Sequence, residues 1–108
     1  MQNILFDYDK SNIRVSEIPK LQSSAAWLKR NPSVRFTIDG NADERGGQEY
    51  NIALGDERAA AIKKYLSGQG VEDTRMTTVS FGEERPVCRQ QTEGCWQMNR
   101  RVEFEMRP

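Results

Sequence analysis

An aspartate, an asparagine and an arginine define the chemistry open to this chain. Asp43 lies in a polar loop, Gly40-Asn41-Ala42-Asp43-Glu44-Arg45-Gly46-Gly47, and Asn51 and Arg58 follow it on a stretch with helical periodicity. At about 3.6 residues per turn, Asn51 and Arg58 stand two turns apart on one stripe, with Leu54 between them. An arginine on an apolar stripe pairs with a carboxylate of its own chain, snorkels past the edge of the core, or meets an anionic ligand. With Asp43 and Glu44 at the helix entrance, an acidic group and a guanidinium converge beside a glycine-bearing turn. Such a pair can receive a zwitterion, Asp43 taking an ammonium and Arg58 a carboxylate held bidentately. Gly40, Gly46 and Gly47 allow tight turning and leave backbone N–H groups approachable.

The elements that must position these residues follow from periodicity. Ile4, Phe6 and Tyr8 alternate with polar residues in a first strand, which sets Asp7 and Asp9 near its end. Ser16 reads as the N-cap of a helix with Pro19 in its first turn and Ile18, Leu21, Ala25 and Leu28 facing the core, Trp27 at the edge of the stripe. Asn31-Pro32 ends that helix. Val34 to Ile38 is the second strand, and Gln48 to about Leu66 the long helix, with Tyr50, Leu54, Ala61, Ile62 and Tyr65 on its apolar stripe. Gly68-Gln69-Gly70 stops it. Met76 to Phe81 forms a third strand with Val79 and Phe81 as its buried members, and Trp96 caps the core beside a cysteine loop. Val102, Phe104 and Met106 alternate through a fourth strand. The order predicts one α+β domain over residues 1–108, a β-α-β-α-β-β sandwich with two helices on one face of a four-stranded mixed sheet.

Composition narrows the function classes. Sixteen basic and sixteen acidic residues cancel and are spread along the chain, which leaves no electrostatic footprint for nucleic acid or anionic membrane. No apolar run could span a bilayer as a helix. The absence of histidine removes the commonest general base and the commonest transition-metal ligand. No cofactor is expected. The Asp7-Asp9 and Asp39-Asn41-Asp43 runs suggest calcium, but each lacks the glycine and glutamate that the EF-hand template needs at its sixth and twelfth positions. Cys88 and Cys95 flank a short polar loop and read as a disulfide worth roughly 2–3 kcal/mol of loop-closure entropy, or as a pair of reduced surface thiols. A hydrolase using Asp43 and Glu44 as acid and base is disfavoured, since adjacent side chains seldom converge and no nucleophile is suitably spaced. Met1 stands almost directly before the first strand, so an export signal or lipid-bearing cysteine is expected upstream.

Four motifs in order, Phe6-Asp7-Tyr8-Asp9-Lys10, Gly40-Asn41-Ala42-Asp43-Glu44-Arg45-Gly46, Glu49-Tyr50-Asn51 with Leu54-Gly55 and Arg58-Ala59, and Asn99-Arg100-Arg101-Val102, resemble the OmpA-like peptidoglycan-binding domain. Within it the chain looks most like the peptidoglycan-associated lipoproteins. The resemblance implies a non-enzymatic periplasmic module that binds the meso-diaminopimelate of the peptidoglycan stem peptide and tethers the outer membrane to the cell wall. A wall-binding domain of a larger outer-membrane protein or of a flagellar stator is the alternative. It assigns Asp43 to the ammonium, Arg58 to the carboxylate and Asn51 to the same pocket. Asp7 and Asp9 fall on the rim, and Ala42, Glu44 and Gly46 supply mainly backbone groups. A TolB-like β-propeller protein is the implied partner, and a periplasmic location agrees with a disulfide between Cys88 and Cys95. Asn99, Arg100 and Arg101 serve either as structural ion pairs or as ligand contacts. Asn41 stands where the family pattern carries histidine; an amide there can donate or accept but cannot carry charge.

Overall fold

The periodicity of Arg35 to Asn41 and of Gln48 to Gly68 builds the centre of the molecule. A computed structural model describes residues 1–107 and places four strands and three helices in the order β1 (Ile4–Leu5), α1 (Ile18–Arg30), β2 (Arg35–Asn41), α2 (Gln48–Gly68), β3 (Met76–Gly82), α3 (Glu93–Asn99) and β4 (Arg101–Arg107). The sheet order is β1-β4-β2-β3, with β2 parallel to β3 and β4 antiparallel to both β1 and β2. The mixed α+β sheet expected from sequence is present, with a short third helix added.

The core lies between the sheet and the two long helices. Phe36 and Ile38 of β2 face Leu21, Ala25 and Leu28 of α1 and Ala59, Ile62 and Leu66 of α2, and Ile4, Phe6, Val71, Met76 and Val102 complete the cluster. Arg75, buried at the start of β3, donates to the carbonyls of Leu28, Asn31 and Val34 at 2.7–2.9 Å. It thereby adds a donor to the Leu28 and Asn31 carbonyls, which also accept from the Asn31 and Val34 amides, and ties the end of α1 to the chain entering β2.

Several elements differ from the sequence expectation. The first strand stops at Leu5 and Tyr8 is exposed. Ser16 does not cap α1. It sits in a 3₁₀ turn, Val15–Glu17, and the buried Glu17 carboxylate instead accepts from the Leu5 amide and from Lys20. The buried stripe of α2 is Asn51, Leu54, Gly55, Arg58, Ala59, Ile62 and Leu66, so Tyr50 lies outside it and Ala61 and Tyr65 are only half-buried at its edge. In β3 the register pairs Met76, Thr78 and Ser80 with Phe36, Ile38 and Gly40. Val79 and Phe81 therefore share the opposite face with Asp39, and both are only half-buried. On β4, burial fades from Val102 through Phe104 to exposed Met106.

The helix-free face carries a buried carboxylate, Asp39, whose Oδ1 has no hydrogen-bond partner among the described residues. Burial pushes this carboxyl above its usual 3.8, and the neighbouring Glu105 carboxylate pushes in the same direction. A folded-state pKa above the unfolded one means that the ionised form opposes folding at neutral pH, a penalty relieved as pH falls through the folded value. Asp39→Asn is accordingly expected to stabilise the domain at pH 7 by on the order of 1 kcal/mol, with the gain shrinking toward pH 4. Thermal melts of both proteins at the two pH values check this, and equal melting temperatures at pH 7 would contradict it.

Candidate functional site

Three segments meet at the open end of the sheet, and each is held there by an identifiable contact. The turn after β1 carries Tyr8 and Asp9, the latter at φ 56°. The continuation of β2 carries Ala42 and Asp43, Ala42 being fixed by its amide N–H, which donates to the Gly82 carbonyl (2.8 Å). Gly46, at φ 98°, a conformation that only glycine takes without strain, turns the loop into α2. Between them lies a recess of about 40 Å³ lined by Tyr8, Asp9, Ala42, Asp43, Arg45, Gly46, Tyr50, Asn51, Leu54 and Arg58.

Six of the candidate residues thus come together: Asp43, Arg58, Asn51, Asp9, Ala42 and Gly46. Asp7 and Glu44 do not join them. The Asp7 carboxylate turns to Arg14 (3.5 Å), and Glu44 accepts from the Trp96 indole N–H (2.9 Å) on the far side of the loop. A larger hollow of about 440 Å³, between the first two residues, α1 and Met106, holds Lys20 as its one charged side chain and none of the candidate residues.

Arg58 forms the floor. It is fully buried and donates from Nε to the Lys10 carbonyl (2.8 Å), from Nη1 to that of Asn41 (2.9 Å) and from Nη2 to that of Asp7 (3.0 Å). The intramolecular partner is thus a set of three carbonyls. Burial, reinforced by the charge of Arg100, lowers its pKa to about 10, so it stays charged at neutral pH.

Asp43 is 4% exposed and receives four donors. Oδ1 accepts from the Arg45 amide (2.9 Å) and Nε (3.3 Å), and Oδ2 from Arg45 Nη2 (2.9 Å) and Arg100 Nη1 (3.5 Å). Burial alone would raise this carboxyl, but the bonds from Arg45 and Arg100 outweigh it and hold the pKa below 3.8. An ionised carboxylate so strongly held is a weak base, suited to binding a cation more than to moving a proton.

Sequence reasoning missed the residues around Arg45. Its guanidinium lies between the rings of Tyr8 (3.9 Å) and Trp96 (4.1 Å), with Glu93 Oε2 at 3.7 Å. Trp96 therefore packs on the loop, not over the core. It rides on α3, which Thr92 caps by accepting from the Cys95 amide (3.2 Å) and the Cys88–Cys95 disulfide ties to the preceding loop. Thr92 before a short turn was the one local signal for this helix. Tyr50, exposed on the first turn of α2, donates its hydroxyl to the Asp9 carboxylate. The last motif divides by residue. Asn99 braces the disulfide loop through the Val87 and Cys88 backbone, and Arg101 holds the Asn99 and Arg85 carbonyls. Arg100 joins Phe6, Glu93 and Asp43. Asn41 is buried outside the recess, donating to the Asp39 carbonyl (3.0 Å), so an amide in place of imidazole acts on the strand and not on the lining.

Residues 5–100 match the OmpA family. The chain is 49% identical over 99 residues to the peptidoglycan-associated lipoprotein of Brucella melitensis and 48% identical to that of Agrobacterium fabrum, covering 92% of this chain in each case. It spans 59% and 56% of the lengths of those relatives. The solved structure of the peptidoglycan-associated lipoprotein from Burkholderia pseudomallei superposes with a TM-score of 0.95 at 39% identity, covering 99% of this chain and 91% of that one. The C-terminal domain of Helicobacter pylori MotB shares the fold alone, with a TM-score of 0.91 at 18% identity over 100% of this chain and 85% of that one.

Proposed function

This chain belongs to the OmpA family, and from that premise we propose that it binds peptidoglycan non-covalently, without catalysis, by the free zwitterionic end of meso-diaminopimelate. In the full-length protein it ties the outer membrane to the cell wall from the periplasmic side, with a TolB-like periplasmic protein as a further partner. One observation carries this reading: a buried ionised carboxylate, Asp43, and a buried guanidinium, Arg58, line the same recess at the entrance of α2. Opposite charges fixed side by side match an ammonium and a carboxylate on one carbon. The disulfide supports an oxidising compartment, and the 43–49% identity to several peptidoglycan-associated lipoproteins supports the same ligand class.

Sedimentation with diaminopimelate-type sacculi tests the function and the site together. Wild type is expected to pellet and Asp43→Asn, after its fold is confirmed by circular dichroism, to remain soluble. Equal pelleting would move the site elsewhere, and failure of both to pellet would end the wall-binding reading. A lysine-type stem peptide lacks the second carboxylate and is expected to bind wild type roughly ten- to a hundredfold more weakly in a titration, the equivalent of one lost charge-assisted bond.

A further inference from the structure

We propose, resting on the wall-binding reading, that Arg45 is a built-in occupant of the ammonium subsite, holding the place on Asp43 that the ligand's ammonium must take. Binding is then an exchange of one cation for another, and Arg45 sets the threshold a ligand must exceed.

Every acceptor direction of Asp43 that the structure describes is filled, two by the Arg45 side chain, one by its amide and one by Arg100. An ammonium therefore has to displace a donor. Arg100 cannot leave cheaply, because its side chain is 5% exposed and also holds the Phe6 carbonyl and Glu93. The Arg45 side chain is 29% exposed and stands at the mouth. With Arg45 in place, the recess of about 40 Å³ is far below the roughly 300 Å³ at which small-molecule pockets begin. Displacing it admits the ligand and frees the carboxylate in one movement.

The parked position is itself built. Tyr8 and Trp96 sandwich the guanidinium, and Glu93 supplies a second anion at 3.7 Å. Two cation–π contacts, even partly exposed, add to the ion pairs and hold this arginine more firmly than a lone exposed ion pair would. An amine lacking a carboxylate exchanges like for like on Asp43 and gains little. A zwitterion adds the attraction of its carboxylate to the positive floor at Arg58. The occupant thus makes binding conditional on the second charge.

The experiment titrates a diaminopimelate-containing muropeptide and its lysine counterpart into wild type, Arg45→Gln and Arg45→Lys, following the indole N–H resonance of Trp96 by NMR. Arg45→Gln is expected to bind both peptides about tenfold more tightly and to leave the ratio between them unchanged, since the same occupant must leave for either. Arg45→Lys, which keeps the charge but loses the fork, is expected to fall between, and it decides the matter if the glutamine variant does not fold. In wild type the Trp96 resonance shifts on saturation as its stacked guanidinium departs. Unchanged or weaker binding by the variants, with wild type binding, would overturn the role of Arg45 while leaving wall binding intact. Binding by none of the three would overturn both.

Discussion

Gly40→Ala is expected to lower the stability of this domain by about 3 kcal/mol or more, a fall in melting temperature of roughly 10–20 °C. A β-carbon at this position would lie 1.8 Å from the Gly55 carbonyl oxygen and 2.5 Å from its carbon. The obstacle is backbone, so no rotamer change relieves it, and α2 must lift from β2. Asn51, Leu54 and Arg58 ride on the helix that would move, so sacculus binding should fail with the fold. Gly55→Ala meets the Ser80 hydroxyl at 2.2 Å and the Gly40 carbonyl at 2.9 Å, and is expected to destabilise less, since the hydroxyl can rotate. Gly47→Ala, with φ −76° and no described atom within 4 Å, is the control and should lose no more than about 1 kcal/mol, the cost of a poorer N-cap on α2. A Gly40→Ala protein melting within a few degrees of wild type would refute the close approach.

Arg58→Met is expected to cost about 3 kcal/mol in a urea unfolding series, because it withdraws a charged donor from the carbonyls of Asp7, Lys10 and Asn41 together, of which that of Asp7 keeps the Lys10 amide. The relieved desolvation of the guanidinium offsets part of the loss, so an undiminished unfolding midpoint would show that these bonds contribute nothing net. Two of the three carbonyls bracket the turn that carries Tyr8 and Asp9. The substitution should therefore also loosen the rim and reduce wall binding, whether or not the ligand touches Arg58. For that reason Asp43→Asn is the cleaner probe of the ligand site.

Much of the fold was legible because α2 is long enough for its period to average over errors and ends at glycines, as did the α1 stripe of Leu21, Ala25 and Leu28. The end of β2 was not. Asp39-Gly40-Asn41 has the composition of a loop, yet β4 and β3 pair with it on both sides and bury it. Gly40 is consequently a packing residue inside a strand, not a turn. In the edge strand β3, Val79 and Phe81 are apolar yet only half-buried, and Thr78 on the helix side is exposed, so the hydropathy pattern marks no fully buried face. The close approach of Gly55 leaves room beside α2 for only a small side chain, and Ser80 donates there to the Ile52 carbonyl (2.6 Å). At the site, Asp43 and Arg58 could be chosen from charge on an amphipathic pattern. The stacking of Arg45 between Tyr8 and Trp96 could not, since those residues meet only through the tertiary fold, Trp96 lying 52 residues along the chain from Glu44, its hydrogen-bond partner. Helix α3, at seven residues, is too short to show a period.

The sheet order carries a consequence for the sequence of events in synthesis. Strand β4 follows the other three in the chain but sits between β1 and β2. Until it emerges, β1 has no strand partner, the Phe6 amide has no Arg100 carbonyl to donate to, and one edge of β2 stands open. A nascent chain, read out from its N-terminus, can therefore form α1, α2 and the β2–β3 pair but cannot close the domain. Closure waits for Arg101–Arg107, and the long loops it must bridge make that last step the slow one. A domain built this way remains open and threadable until its last strand is made.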